Sequence, residues 1–350
     1  MRRVVVLGAG VMGTAFCLPL SDRGMDVRLV GTHLDRELVS MMRQTRVHPR
    51  LKAEIGANIT VFQDHEMSAA FDGSADLIVG GISTPGIDWA IDVLADHVSG
   101  TPPIVMLTKG IGPTADHVET LPAHMERSFA GKGFSHGPIG AIGGPCIAGE
   151  LAVRRQTAAI IGFSDIELAK DWAQVISTPY YQLRFTDDLI GLEICAALKN
   201  FYAIGVSSPV GVAETQPALN GAACHNAVSS LFNQAILELA RIVSASGGRT
   251  ETAYGLAGMG DLHVTCQAGR NSRLGRMMGA GMRYRDAMAG PLKGETVEGT
   301  LVAAALVEPL KSLRMKSRVA LDDLPLADAI IRAIKADAPI AVRAESLHQL

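Results

Sequence analysis

Three glycines, Gly8, Gly10 and Gly13, stand at G-x-G-x-x-G spacing directly after the apolar run at 4–7. The first permits a tight turn, the second lets backbone amides approach a pyrophosphate, and the third allows a helix to pack closely on a strand. The amides of Val11 and Met12 then lie where a helix N-terminus meets phosphate charge. The same triplet occurs in ordinary loops, so its weight comes from its place in a βαβ pattern. A bound nicotinamide dinucleotide implies hydride transfer, and a secondary alcohol that loses a hydride must also lose its hydroxyl proton. Lys199 is the candidate for that proton. It sits among Ala197, Leu198, Phe201 and Ile204, and burial lowers a lysine's hold on its proton. The alternative is a helix-end lysine with a buried stem and an amine in water.

Asp261 follows Gly255, Gly258 and Gly260, a backbone able to approach a ligand closely and aim a carboxylate at Lys199. An Asx turn or helix N-cap is the other use of an aspartate there. Arg270 and Asn271, with Thr265 nearby, offer a cationic fork plus neutral hydrogen bonds, the chemistry that holds a phosphate. Arg270, Arg273 and Arg276 otherwise form one solvated helix face. Lys109 follows an apolar strand, where an open α/β sheet presents side chains to a ligand or simply to water. The acidic residue that commonly binds the ribose of NAD, about 20 residues beyond the glycines, is missing. The second strand ends Val30, Gly31, Thr32, His33, and only then come Asp35 and Arg36. Arg36 or His33 can pair with a 2′-phosphate, so the cofactor is NAD or NADP with NADP slightly favoured; a solvated Arg36 is equally open.

Short apolar runs at 4–7, 27–30, 77–79, 104–107 and 158–161 alternate with helix-compatible stretches, which predicts βαβ units and a mostly parallel sheet. From Asp188 onward the sequence reads as helices separated by Gly-rich turns as far as the C-terminus. The expected architecture is an α/β N-terminal Rossmann-like dinucleotide-binding domain over 1–187, followed by an all-α C-terminal substrate and catalytic domain over 188–350. Thr186, Asp187 and Asp188 supply N-cap chemistry before 189–205, which is apolar on nearly every face and therefore expected to be buried. The stretch 207–226, with Pro209, Gly211, Pro217 and Gly221, reads as an irregular connection, either linker or lid. Pro19 falls inside the first expected helix, where it costs roughly 3 kcal/mol unless a kink absorbs it.

A chain of 350 residues is long enough for two cores. Its 32 Lys and Arg balance 35 Asp and Glu, so neither nucleic acid nor an acidic membrane surface is an expected partner. Apolar stretches such as 4–7 and 301–307 fall short of the roughly 20 residues that span a bilayer, and no transmembrane helix is expected. No export signal is legible at the N-terminus, which points to the cytoplasm. Cys17, Cys146, Cys195, Cys224 and Cys266 are scattered without C-x-x-C spacing, so neither a disulfide framework nor a metal site is expected.

A further set of residues carries a family resemblance. Lys109 and Gly110 follow Thr108; Gly144, Pro145, Cys146 and Glu150 come later; Ala197, Leu198, Lys199 and Asn200 share one stretch. Then follow Gly255, Leu256, Ala257, Gly258, Met259, Gly260, Asp261 and Leu262 with Thr265 and Cys266, next Arg270, Asn271, Arg273 and Gly275, and finally Val297, Glu298 and Gly299. In this order and spacing the chain resembles the NAD(P)-dependent glycerol-3-phosphate dehydrogenase family, as a divergent member. The resemblance implies an oxidoreductase that moves a hydride between NAD(P) and a small phosphorylated polyol or ketose, first of all sn-glycerol 3-phosphate and dihydroxyacetone phosphate, in a homodimer. It implies Lys199, Asp261 and Lys109 as catalytic residues, and Lys109, Asn200, Thr265, Arg270 and Asn271 as substrate ligands. Gly8, Gly10, Val11, Met12, Gly13, Arg36 and Glu298 would hold the cofactor, a surface position being the other reading of Glu298.

There are departures from the pattern. Asn226 matches a family asparagine, but Asn233 and Gln234 stand where Thr and Arg are expected, and 207–225 is longer and richer in proline. A longer polyol phosphate is therefore an alternative substrate. A β-hydroxyacid dehydrogenase or ketopantoate reductase is another reading, with a carboxylate in place of phosphate, and a dinucleotide-sensing protein without catalysis is a third.

Overall fold

The β-branched runs form strands. These are β1 (Arg3–Leu7), β2 (Asp26–Val30), β3 (Val47–His48), β4 (Ala53–Glu54), β5 (Ile59–Phe62), β6 (Leu77–Gly80), β7 (Ile104–Met106), β8 (Ile139–Gly143), β9 (Thr157–Gly162) and β10 (Tyr181–Thr186). Between them lie helices α1 (Val11–Asp22), α2 (Arg36–Thr45), α3 (Met67–Ala70), α4 (Ile87–His97), α5 (Leu121–Lys132), α6 (Ala148–Ala152) and α7 (Ile166–Ile176). The computed structural model describes residues 1–316, 318–319 and 323–340. They divide into two units, one of Met1–Lys109 with Leu121–Leu189 and one of Gly110–Thr120 with the chain from Ile190 onward.

In the first unit eight strands pair in the order β10-β9-β8-β7-β6-β1-β2-β5, while β3 and β4 form a separate ladder. Neighbours in the large sheet are parallel except β8 and β9. A parallel sheet is covered on both faces, which explains why Val4, Val5, Val6 and Leu7 form an unbroken apolar run: all four are fully buried. The chain leaves β1 for β2 on one side and reaches β6 on the other, so the ends of β1 and β6 form the switch point at which such sheets bind ligands. Pro19 does not end α1, which continues to Asp22.

The second unit is helical: α8 (Leu189–Thr215), α9 (His225–Ala245), α10 (Thr250–Tyr254), a π-helical turn over Leu256–Gly260, α11 (Asp261–Gln267), α12 (Arg270–Gly279), α13 (Tyr284–Ala289), α14 (Glu298–Met315) and α15 (Pro325–Lys335). The sequence put the division at 187/188; the units part at 189/190, and Gly110–Thr120 groups with the helical unit. There the Asp116 carbonyl accepts hydrogen bonds from Ser312 Oγ (2.6 Å) and Lys316 Nζ (3.2 Å). The last stretch of the expected helical pattern, 341–350, lies outside the described residues.

The expected end of α8 is corrected. The helix runs ten residues past 205, to Thr215, so the irregular connection shrinks to 216–224. Pro209 lies inside it and cannot bond the Gly205 carbonyl, but Ser208 Oγ donates to that same carbonyl at 2.8 Å. The helix is also, by composition, long and apolar enough to cross a bilayer: 27 residues, with mean hydropathy 1.5 in its most apolar window. Its apolar surface goes instead into the core of the unit, where 89% of that window is buried. Glycines let α12 reach it, since a Cβ at Gly275 would strike the Ile204 carbonyl and one at Gly279 the Ser208 carbonyl.

Candidate active site

The glycine turn in the first unit works through missing side chains. Gly8 has φ +103°, which an L side chain rarely adopts, and a Cβ there would lie 2.5 Å from the Gly81 carbonyl oxygen just past β6. A Cβ on Gly13 would strike the Gly8 carbonyl, so the third glycine sets how closely α1 packs on the turn. At Gly10 an added Cβ meets nothing within 4 Å. That open space lies at the N-cap of α1, where the first intrahelical bond is Thr14 N–H to Gly10 O (3.0 Å). The N–H groups of Val11, Met12 and Gly13 precede that bond and are available to an anion. The residues thus fit a dinucleotide pyrophosphate.

At the end of β2, Asp35 accepts hydrogen bonds from Thr32 N–H (2.9 Å) and Thr32 Oγ1 (2.8 Å), which fixes its carboxylate in a local turn. Arg36, read from the sequence as a partner for a 2′-phosphate or as a solvated helix residue, meets a carboxylate. It forms a two-pronged pair with Asp64, Nε to Oδ1 at 2.8 Å and the terminal nitrogen to Oδ2 at 2.6 Å, and holds that carboxyl below its usual range. The pairing joins residues 28 apart, a contact that no local pattern displays. Lys109 lies half-buried just beyond β7, with its carbonyl accepting from Thr84 Oγ1 at 3.1 Å.

In the helical unit, Lys199 projects from α8 and donates from Nζ to Asp261 Oδ1. Lys199 is 7% exposed and Asp261 0%, so this is a buried ion pair. The π-helical turn before α11 delivers Asp261, with Gly260 N–H bonded to Gly255 O (3.1 Å) across five residues. Gly258 is required in that turn because a Cβ would strike the Ala253 carbonyl. Thr265 Oγ1 donates to the Asp261 carbonyl at 2.6 Å, bracing the same turn from within α11. Next to it, burial pushes the Cys266 thiol up to about 12, against the pull of a Ser207 hydrogen bond and the Lys199 charge. That thiol stays protonated.

The adjacent residue opens a second set of contacts. Asn200 Nδ2 donates to Glu298 Oε2 (2.7 Å), Asn271 Nδ2 donates to Asn200 Oδ1 (3.0 Å), and Gly299 N–H donates to Asn271 Oδ1 (2.9 Å). Three helices, α8, α12 and α14, are tied by this chain. Gly299 is glycine because a Cβ would strike the Asn200 carbonyl. Arg270 opens α12 behind Gly269 (φ +117°), about half exposed, with its guanidinium 3.8 Å from Glu298 Oε1. The helical unit therefore brings together Lys199, Asp261 and Thr265, and beside them Asn200, Asn271, Glu298 and Arg270. Lys109, Arg36 and the glycine turn belong to the other unit.

Sequence reasoning missed Glu238. Its fully buried carboxylate accepts from Leu326 N–H (2.7 Å), Ala327 N–H (2.8 Å), Gln234 Nε2 (3.0 Å) and Tyr202 OH (3.2 Å). Gln234, a departure from the family pattern, is thus one of its donors. The signal was present only as an acidic residue in an apolar stretch of α9.

A parallel sheet in the order that makes a switch-point crevice, a glycine turn at that crevice and a separate helical unit with a buried Lys–Asp pair define a dinucleotide-binding oxidoreductase. The chain matches the N-terminus of NAD-dependent glycerol-3-phosphate dehydrogenase over 3–169 and its C-terminus over 188–343. It is 31% identical to an NADP(+)-dependent glycerol-3-phosphate dehydrogenase of Archaeoglobus fulgidus over 333 residues, 95% of this chain and 94% of that one. With a glycerol-3-phosphate dehydrogenase [NAD(P)+] of Chelativorans sp. it shares 31% identity over 284 residues, 80% of each chain. The fold is also that of the glycerol-3-phosphate dehydrogenase of Saccharomyces cerevisiae, with a TM-score of 0.82 at 20% identity over 99% of both chains. The protein belongs to the NAD-dependent glycerol-3-phosphate dehydrogenase family, and it is an NAD(P)-dependent dehydrogenase acting on a CH–OH group.

Proposed function

We propose that this enzyme interconverts sn-glycerol 3-phosphate and dihydroxyacetone phosphate, with NADP favoured over NAD. The observation that carries the reading is the buried Lys199–Asp261 pair in the same unit as Arg270 at the start of α12. When bound, the dinucleotide supplies or accepts the hydride. Lys199 gives its proton to the oxygen that gains charge as the carbonyl is reduced, and takes the hydroxyl proton back in the oxidation direction. Asp261 orients that ammonium, and Lys109 is assigned a further contact to the substrate. The substrate phosphate is held by the Arg270 fork and the first amides of α12, a combination suited to a dianion, with Asn200, Thr265 and Asn271 supplying neutral contacts around it. The preference for NADP follows from the cation Arg36 after β2 and from Asp35, whose Oδ2 is held in a local turn by Thr32.

Initial rates with NADPH and NADH test this against dihydroxyacetone phosphate, larger ketose phosphates, unphosphorylated dihydroxyacetone and a 2-oxoacid such as ketopantoate. The highest kcat/KM is expected with dihydroxyacetone phosphate. A preference for the oxoacid, or indifference to the phosphate, would overturn the reading.

A further inference from the structure

We propose that Glu298 is a resident counter-ion of the phosphate site, and that a phosphorylated substrate takes the Arg270 guanidinium by displacing it. The inference rests on the assignment of Arg270 to the substrate phosphate. Glu298 is the first residue of α14, and its two carboxylate oxygens do different things. Oε2 accepts from Asn200 Nδ2 at 2.7 Å, a full hydrogen bond, whereas Oε1 stands 3.8 Å from the Arg270 nitrogen, an ion pair too long to be one. Arg270 therefore keeps its donors for another acceptor while its charge is already partly answered.

The two halves of the carboxylate are not equally replaceable. Asn200 is held in turn by Asn271, which is held by the Gly299 amide, so the anchor on Oε2 is fixed on three helices. The Arg270 and Glu298 side chains are 46% and 35% exposed, and the longer contact is correspondingly screened and weak. A phosphate dianion brings more charge and more acceptor atoms to the same guanidinium than one carboxylate oxygen can. It wins the fork, and Glu298 retreats to Asn200 and to the N-terminus of its own helix, which favours negative charge. Every anion at Arg270 then binds against this competition, and an uncharged ligand does not.

The test is titration with inorganic phosphate in the absence of dinucleotide, followed by kinetics with dihydroxyacetone phosphate and with unphosphorylated dihydroxyacetone. Glu298→Gln keeps an oxygen for Asn200 and removes the charge. It should tighten inorganic phosphate by about twofold to fivefold, the size expected when an exposed ion-pair competitor is removed. At saturating dinucleotide, the KM for dihydroxyacetone phosphate should fall by a similar factor relative to that for dihydroxyacetone. Glu298→Ala also gives up the Asn200 contact, so it should tighten phosphate by less than Glu298→Gln does. Unchanged or weaker phosphate binding in both variants would overturn the proposal. Arg270→Lys separates the two levels of argument. If it leaves phosphate affinity unaltered, the phosphate site itself is misassigned; if it weakens phosphate while the Glu298 variants do nothing, only the displacement is wrong.

Discussion

Two carboxylates in the helical unit, Asp261 and Glu238, are equally and fully buried, yet they face opposite company. Asp261 faces a cation, Lys199. Glu238 faces four neutral donors from α8, α9 and the start of α15. Burial pushes the Glu238 carboxyl up to about 7, with Gln234, the Leu326 and Ala327 amides and Tyr202 pulling it back. The contrast teaches how to tell a working charge from a structural one in the same core. On the proposed reading, the carboxylate matched to an ammonium orients a proton donor, while the one matched to amides at a helix N-terminus holds that helix in place.

The comparison breaks if the chemistry does not follow the cation. Lys199→Met should lower turnover by about a hundredfold to ten-thousandfold while dinucleotide binding stays near the parent's. It also leaves Asp261 buried without its cation, at about 3–5 kcal/mol of stability. Adding Asp261→Asn should restore much of that stability and none of the turnover; a single variant within about threefold of the parent's rate would refute the assignment.

The next effect in size belongs to Arg270. Arg270→Lys keeps the charge and loses the fork, and should reduce kcat/KM for dihydroxyacetone phosphate by roughly tenfold to a hundredfold, with little change for dihydroxyacetone. Equal losses on both substrates would make Arg270 a structural residue. In the other unit, Gly10→Val should weaken NADPH binding by about tenfold, as one charge-assisted contact is lost. An added Cβ meets no atom there, so thermal stability should hold, and undiminished binding would rule out the pyrophosphate position.

The smallest effect on rate, and the sharpest on the contrast, is expected from Glu238→Gln. The folded carboxyl holds its proton to about 7, whereas in the unfolded chain it titrates near the ordinary 4.5. Its raised value means that folding favours the protonated form. That contribution, about 3 kcal/mol, is full below the unfolded value, is lost as pH rises through the interval, and stays lost above the folded value. Melting temperatures of parent and variant between the two limits should therefore diverge in slope, the parent falling more with rising pH. Parallel profiles would mean that the carboxylate is ionised throughout by its four donors, and turnover within about twofold of the parent is expected in either case.

The fold class and the glycine turn were legible because both are local. A strand's periodicity and a turn's missing Cβ atoms act over a few residues, and Gly8, Gly10 and Gly13 declare their conformations in sequence. The true length of α8 was not legible, since Pro209 reads as a breaker until Ser208 is seen to serve the carbonyl that the proline leaves open. Nor was the engagement of Arg36, whose partner Asp64 sits beyond β5.

By itself the sequence determined which residues could do chemistry, the parallel sheet that begins the chain and the helices that end it, because residue type and short-range spacing set propensity and side-chain chemistry. Only the tertiary structure decided which charges meet. Lys199 finds Asp261 across 62 positions, Asn200 finds Glu298 across 98, and Glu238 finds the start of α15 across 88. Such pairings depend on how closely helices approach, and the sequence displays Gly275 and Gly299 without displaying the Ile204 and Asn200 carbonyls against which they pack.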